Sequence, residues 1–454
     1  MKEEYLKKLN KAFGDFTFYS SDHHYEYKGQ RIGISVTKFI EEYANEFDSQ
    51  AVAERVAERD NKSVQEVLDE WKEKNERACE KGTMCHEYIQ SIWEGNIAFG
   101  YESNEIIEKL YNQADNFFID YRTKLEHLAD EFVIGSEEYD IASAIDHIFL
   151  NKLTGGLVLV DYKTNSDIYK NERYAKNMKV PLSHLKDTTL NHYFIQLSIY
   201  KYIVEKYTDL KVDEWFIVWF SENNENYEII EVPYLEKEVK KILLGRKIKN
   251  MKSVPILLIG KSGSGKSASL RNFKKDEIAI ANVLGKPLPF KSDIEAPKVD
   301  DYNVILEAIK RTDKKVIVID DANYLITNEF MKNSSIKGYD KYNDMANNFW
   351  NLINGIKEVD GGKTVYIIMH EDQDEFGNVK PKTIGKLLDD KCNIQGLFTI
   401  CIRSMYENGK YIFRLKTNGQ DCVKTPIGLF EEDEIENDLK AVDNKIRDYY
   451  NLGE

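Results

Sequence analysis

The amino-acid sequence predicts an α/β protein built as two modules, and three observations carry that expectation. The chain has 454 residues, more than a single core of roughly 250–300 residues usually holds. Residues 254–260, 277–283, 315–321, 364–370 and 398–404 read as apolar strands with helical text between most of them, the alternation of a parallel sheet covered on both faces. Before residue 245 the order differs: helical stretches come first and short strands follow, which predicts an α/β core with a helical wrap.

Taken in order, residues 24–35 read as a hairpin turning at Lys28-Gly29, and Ser35 or Thr37 is placed to cap a helix running to Tyr43. Residues 51–95 and 103–127 carry apolar positions at helical spacing, among them Ile107, Leu110, Ala114 and Phe117. Short strands are expected at 131–135, 143–150 and 157–164, then a helix near 190–207 and a strand at 213–221. A basic, helix-like run ends at Met251, where an apolar strand begins. The boundary therefore falls near 245–253, giving modules 1–250 and 251–454. A last strand at 410–416 follows an Asn408-Gly409 turn and should pair antiparallel. Ile435, Leu439, Val442 and Ile446 share one face of a terminal helix expected to pack on its own module.

Composition narrows the function classes. Hydrophobic residues make up 42% of the chain and aromatics 12%, ample for packed cores. No apolar stretch approaches the roughly 20 residues that cross a bilayer, and the first 16 residues lack the apolar run of a secretory signal. The five cysteines (79, 85, 392, 401, 422) are scattered without a CxxC pair, so they offer no zinc site and suit free thiols in a reducing compartment. Net charge is -15, and 13 of those negative charges fall in residues 1–250. That balance argues against a protein that coats nucleic acid through a general basic field. It leaves room for a local basic channel or a metal-dependent enzyme.

The firmest motif is Gly260, Lys261, Ser262, Gly263, Ser264, Gly265, Lys266 and Ser267, preceded by a strand and followed by helical text. Glycines there let backbone N–H groups turn onto phosphate oxygens, and a following helix adds partial positive charge. Lys266 is expected to reach the β- and γ-phosphates of ATP, with the Ser267 hydroxyl on Mg²⁺. Asp320 and Asp321 end the strand 315–321, Asp320 as the Mg²⁺ partner and Asp321 as the candidate catalytic base. His370 ends the next strand, at the edge where ligands of parallel sheets bind. Glu371 is a second candidate base, and Lys386 and Arg403 are candidate charge-stabilising residues. These residues, with VIVIDDANYL and MHEDQDEFGNVKPKTIGK, make residues 251–430 resemble the RecA/AAA-type P-loop ATPases of bacteriophage recombination modules. The resemblance implies a parallel-sheet ATPase that binds single-stranded DNA, oligomerises and couples annealing or strand loading to ATP.

In the first module, Asp161 and Lys163 lie two apart on a strand and so share a face. Asp146, from the neighbouring strand, completes an oxygen-ligand set for Mg²⁺ or Mn²⁺. A carboxylate-held metal beside an ammonium is what phosphodiester hydrolysis requires. His86 precedes them, and Gln196 and Tyr200 sit four apart on one helical face. In this order the residues resemble the RecB-like branch of the PD-(D/E)XK nucleases over roughly 20–220. That resemblance implies a restriction-endonuclease-like core with Asp146 and Asp161 as metal ligands and Lys163 as catalytic lysine. It implies a helix-borne metal or DNA contact at His86, an acidic strand-opening residue at Glu137, and a helix bracing the site or touching DNA through Gln196 and Tyr200. Ser143 stands where the family usually has glycine, and Cys79 and Cys85 alone cannot hold the iron–sulfur cluster of some members.

The combined expectation is a cytoplasmic enzyme of a bacterium or phage-infected cell, in which a Mg²⁺-dependent exonuclease for linear DNA ends is joined to an ATPase acting on the single strand. Its expected partners are DNA, further copies of the chain and a single-strand-binding protein, without a membrane. Two alternatives stay open: an ATP-dependent loading factor that keeps the nuclease fold for DNA binding, and an ATP-gated nuclease of anti-phage defence.

Overall fold

The computed structural model describes residues 1–96, 104–170, 174–335, 340–384 and 393–453. Two compact units, Met1–Leu244 and Gly245–Glu454, divide it, and each mixes helices with a sheet of parallel and antiparallel strands. No helix of the described residues is long and apolar enough to cross a membrane. Cys79, Cys85, Cys401 and Cys422 are free thiols, while Cys392 lies outside the described residues.

The first unit opens with α1 (Lys2–Phe13) and a three-stranded sheet of β1 (Phe16–Tyr19), β2 (His24–Tyr27) and β3 (Gln30–Arg31). Lys28 and Gly29 turn between β2 and β3 at φ 50° and 76°, the left-handed pair of a tight hairpin. After β4 (Ile34–Ser35), the Ser35 side chain accepts from the Lys38 amide and starts α2 (Val36–Glu41). Then follow α3 (Ser49–Asp60), α4 (Val64–Glu94) and α5 (Glu105–Tyr121). A Ser63–Glu66 capping box begins α4. The remaining elements are β5 (Leu125–Ser136), β6 (Ile141–Asn151), β7 (Leu157–Lys163), α6 (Thr189–Tyr207), β8 (Val212–Trp219) and β9 (Glu228–Glu231).

These strands form one sheet in the order β4-β6-β7-β8-β9, with β5 also on β6. Alternation sorts their side chains. Ile148, Leu150, Leu157 and Leu159 pack with Ile199 and Ile203 of α6, whereas Phe149, Val158, Val160 and Tyr162 pack with Ile89, Leu110 and Phe117 of α4 and α5. One edge of β6 is shared. β7 pairs antiparallel with residues 147–150 and β4 pairs parallel with Ile141 and Ala142, because β5 already takes the other edge. Beyond Val160, β7 leaves β6 but keeps its pairing with β8 through Lys163. A break in the ladder is thus built beside residues 143–146.

The second unit begins within α7 (Glu236–Asn250), whose basic last turn leads into β10 (Val254–Gly260). Its other elements are β11 (Ile278–Asn282), α8 (Tyr302–Arg311), β12 (Val316–Asp320), α9 (Asn323–Lys332), α10 (Asp340–Lys357), β13 (Thr364–Gln373), β14 (Val379–Pro381), β15 (Ile400–Glu407), β16 (Lys410–Arg414), β17 (Glu434–Glu436) and α11 (Leu439–Tyr449). The strand order is β11-β12-β13-β10-β15-β16-β17, parallel through β15 and antiparallel from there. Leu257 and Ile259 face α8, α9 and α10, and Ile256 and Leu258 face α11. Burial on both faces is why these strands read as unbroken apolar runs. The β15–β16 turn carries Asn408 and Gly409 at φ 51° and 78°. Leu439, Val442 and Ile446 anchor α11 in this core.

Phe117 is fully buried between Trp93, Tyr121, Tyr162 and Tyr227. Phe117→Ala should destabilise the first unit by about 3–5 kcal/mol through lost contact and a cavity, read as a lower urea midpoint by tryptophan fluorescence.

Candidate active site

Asp146 and Asp161 sit where β6 and β7 part. The last ladder pair is His147 with Val160, so the next step would set Asp146 opposite Asp161. The ladder bond is replaced there: the Tyr162 amide donates to Asp146 Oδ2 at 2.8 Å. Asp161 is 1% exposed, and apart from the Lys163 ammonium neither carboxylate oxygen has a hydrogen-bond partner. Its ion partner is the Lys163 ammonium, which also lies 4.6 Å from the Tyr193 ring centroid. Burial pushes the Asp161 carboxyl up to about 6, against the pull of Lys163. Burial alone would lower Lys163, but Asp161 and Asp146 outweigh it and raise the ammonium above its ordinary value. Lys163 therefore stays cationic at neutral pH.

His86 reaches this point from α4. Its Nε2 is 3.1 Å from the Tyr162 carbonyl, and its Nδ1 is 3.6 Å from Asp146 and 3.9 Å from Glu131. Burial favours the neutral ring, yet Asp146 and Glu131 together hold the imidazole above its usual value. The ligand atoms of His86, Glu131 and Asp146 all lie within 4.8 Å of one another, a group that does not include Asp161. Glu131 stands across β5–β6 from Asp146, between the pairs Asp130–His147 and Phe132–Ile145, and has φ 41°. It is an acid beside Asp146 that the sequence reading did not single out. Glu137 is exposed in the turn between β5 and β6, a hairpin's length from Asp146. Sequence reasoning placed the acid by proximity to the strand's start, and the antiparallel register selects another. Counting the hairpin pairs from the turn would have found Glu131.

Gln196 and Tyr200 come together as a brace. Gln196 Nε2 donates to the Tyr200 hydroxyl at 2.6 Å, and that hydroxyl meets Ser143 Oγ at 2.8 Å. Tyr200 is 1% exposed, so it supports β6 from beneath and has no surface for DNA. Ser143 gives the brace its anchor on the strand, a role a glycine there could not supply. Beside His86 and Lys163 opens a cleft of about 1310 Å³ lined also by Lys74, Arg77, Lys81 and Lys170. Glu80, Asp167 and Glu222 share the lining, with Glu222 paired to Lys81 at 2.6 Å, so cations exceed acids there on an otherwise acidic unit.

In the second unit, residues 260–267 form a loop at the carboxyl end of β10. Gly265 has φ 93°, and a Cβ there would stand 2.7 Å from Tyr411; a Cβ on Gly260 would stand 2.5 Å from the Ser404 carbonyl. Only glycine fits either position. Lys266 is 6% exposed, and its ammonium donates to the carbonyls of Gly260 and Lys261 at 2.9 and 2.8 Å. Burial lowers it to about 8. Ser264 accepts through its carbonyl from Ser404 Oγ, fixing the loop to β15. Ser267 Oγ donates to Asp320 Oδ1 at 3.0 Å, and burial, with Asp321 adjacent, raises the Asp320 carboxyl. Ser262, Gly263, Lys266, Ser267, Asp320, Asp321 and His370 line one cavity of about 290 Å³.

Three expectations change here. The helix after the loop is a six-residue 3₁₀ turn, Ser267–Asn272. Ser269 turns its hydroxyl back onto the Lys266 carbonyl at 2.5 Å, a side-chain bond that competes with α-helix. Asp321, at φ 57°, holds Lys286 at 3.0 Å and lies 3.5 Å from His370. Burial would raise it, but those two partners leave its carboxyl below the usual range, which makes it a weak base. Glu371 and Arg403 occupy each other in a bidentate pair at 2.8 Å, so neither is free to act on a ligand. Lys286, in the loop after β11, is a cavity cation that no motif announced. Lys386 lies outside the described residues.

Lys163→Met would leave Asp161 buried without an ion partner, a loss of about 3–5 kcal/mol at neutral pH. A carboxyl whose folded pKa lies above its unfolded value near 3.9 costs stability only once ionised. The value of about 6 holds with Lys163 in place, and its removal raises the carboxyl further, so the deficit should shrink as pH falls toward about 6 and level off below it, measured by thermal denaturation of both proteins from pH 8 to pH 5.

No family model matches this chain, and the search of curated proteins gives no match.

Proposed function

We propose that the first unit is a divalent-metal-dependent DNA phosphodiesterase acting on linear ends, and that the second binds and hydrolyses ATP in the service of the same substrate. The observation that carries the reading is the buried Asp161, whose one partner is the Lys163 ammonium, opposite Asp146 and beside that lysine held cationic. An oxygen-rich set of this kind fits Mg²⁺ or Mn²⁺. Asp146 and Asp161 would hold the ion, with His86 and Glu131 at its rim, and it would supply Lewis-acid activation of phosphate and a more acidic water.

The chain's own groups do the rest. Lys163 keeps its proton, so it neutralises phosphoryl charge and orients the attacking water instead of deprotonating it. Gln196, Tyr200 and Ser143 hold β6 so that Asp146 keeps its position. Lys74, Arg77 and Lys170 along the cleft favour a polyanion, and confining that charge to one wall agrees with a net charge of -15. In the second unit, Lys266 and Lys286 face the cavity as phosphate-binding cations, and Ser267 with Asp320 offers hydroxyl and carboxylate oxygens to Mg²⁺.

Digestion of linear duplex and single-stranded DNA with Mg²⁺ or Mn²⁺, with and without ATP, tests the reading. Asp161→Ala should lose at least about a hundredfold in rate, while Lys266→Ala should change only what ATP changes. Undiminished digestion by Asp161→Ala would sink the site assignment. ATP affinity should fall as pH rises through about 8, where free Lys266 loses its charge, and Lys266→Ala should bind weakly with a flatter profile by calorimetry.

A further inference from the structure

The β5–β6 hairpin carries a second set of ligating side chains on its other face. Asp130 and Glu131 are neighbours on β5, as Asp146 and His147 are on β6, and alternation sends the members of each pair to opposite faces. Glu131 and Asp146 face the cleft site. Asp130 and His147, directly paired in the ladder, face α4 and α5, where the His147 ring stacks on Phe149 and meets Tyr162 edge-on.

His127 joins them because the strand is irregular. Three residues apart on a regular strand, His127 and Asp130 would point to opposite faces. A bulge between His127 and Ala129 inserts one residue, sends Leu128 into the α6-side core and brings His127 onto the face of Asp130. Bulges re-aim side chains in this way and recur beside functional sites.

The three side chains converge. His127 Nε2 lies 2.7 Å from Asp130 Oδ2, His147 Nε2 lies against Asp130 Oδ1, and their ligand atoms all fall within 4.8 Å of one another. Both imidazoles thus pair with the one carboxylate. His147 Nδ1 is buried without a hydrogen-bond partner, and His147 is 2% exposed. An unpaired polar atom costs about 1–3 kcal/mol when buried, and two imidazoles converging on a single carboxylate from two strands form a ready ligand set.

We propose that His127, Asp130 and His147 form a binding site for a transition-metal ion of the Zn²⁺ class, separate from the carboxylate site across the sheet. Two imidazoles and one carboxylate suit a borderline divalent ion and disfavour Mg²⁺, which prefers all-oxygen ligands. Three protein ligands leave a position for water, and the His127 side chain, 19% exposed, gives the ion access to solvent. Bound there, the ion ties β5 to β6 at the rung next to the one from which Glu131 and Asp146 project the other way, so its role is to position the cleft carboxylates.

The test uses the full chain, stripped with chelator and titrated with Zn²⁺ by calorimetry and with Co²⁺ by visible absorption. About one equivalent should bind tightly, with Co²⁺ d–d bands that Zn²⁺ abolishes. His127→Ala, at the exposed end, and Asp130→Asn, which keeps the side-chain shape, should each weaken Zn²⁺ binding by at least about tenfold, with folding checked by circular dichroism. Asp146→Asn should leave it unchanged. Absence of Zn²⁺ uptake and Co²⁺ bands in the unmutated chain, or uptake that follows Asp146 and not His127, overturns the proposal.

Discussion

A carboxylate set at the end of an otherwise apolar strand resists ionising unless charges or donors surround it, and both units are arranged around one. In the first, Leu157 to Val160 are wholly buried and Asp161 follows them; in the second, Val316 to Ile319 precede Asp320. Burial raises both carboxyls. The compensation differs. Asp161 has an ammonium alone, whereas Asp320 accepts from the Ser267 hydroxyl and the Asp321 amide. The first arrangement balances charge with charge, and the second uses neutral donors.

Periodicity made most of the framework legible. The strands of the second unit announced themselves because burial on both faces leaves no polar position inside them, and the Lys28-Gly29 and Asn408-Gly409 turns announced themselves because few residues tolerate positive φ. That Asp161 and Lys163 would share a face near Asp146 was readable because pleating fixes which strand positions lie together. Glu131, Lys286 and the His127–Asp130–His147 group were not. Each depends on register or on a loop's course, and a pattern along one strand does not record its partner's alignment. The 3₁₀ turn at Ser267–Asn272 was missed for another reason: serine hydroxyls compete locally with helix in a way that helical spacing does not register.

The hairpin of β5 and β6 concentrates these hidden features. Its ladder is the most continuous in the first unit, running from Leu125–Asn151 to Ser136–Ile141 with one irregularity. Continuity makes it stiff, and the single bulge turns a buried face into a place where imidazoles meet a carboxylate. The opposite edge of β6 is broken, with β4 and β7 each holding part of it. One edge thus provides rigidity and the other provides space.

That broken edge also leaves a spectroscopic handle. Where β7 departs, the Tyr162 amide is bonded to a side-chain oxygen of Asp146 and not to backbone. An ion on Asp146 competes with that amide for the carboxylate's electron density. The exchange rate of one deep amide proton is then a gauge of whether the carboxylates are occupied, independent of any turnover.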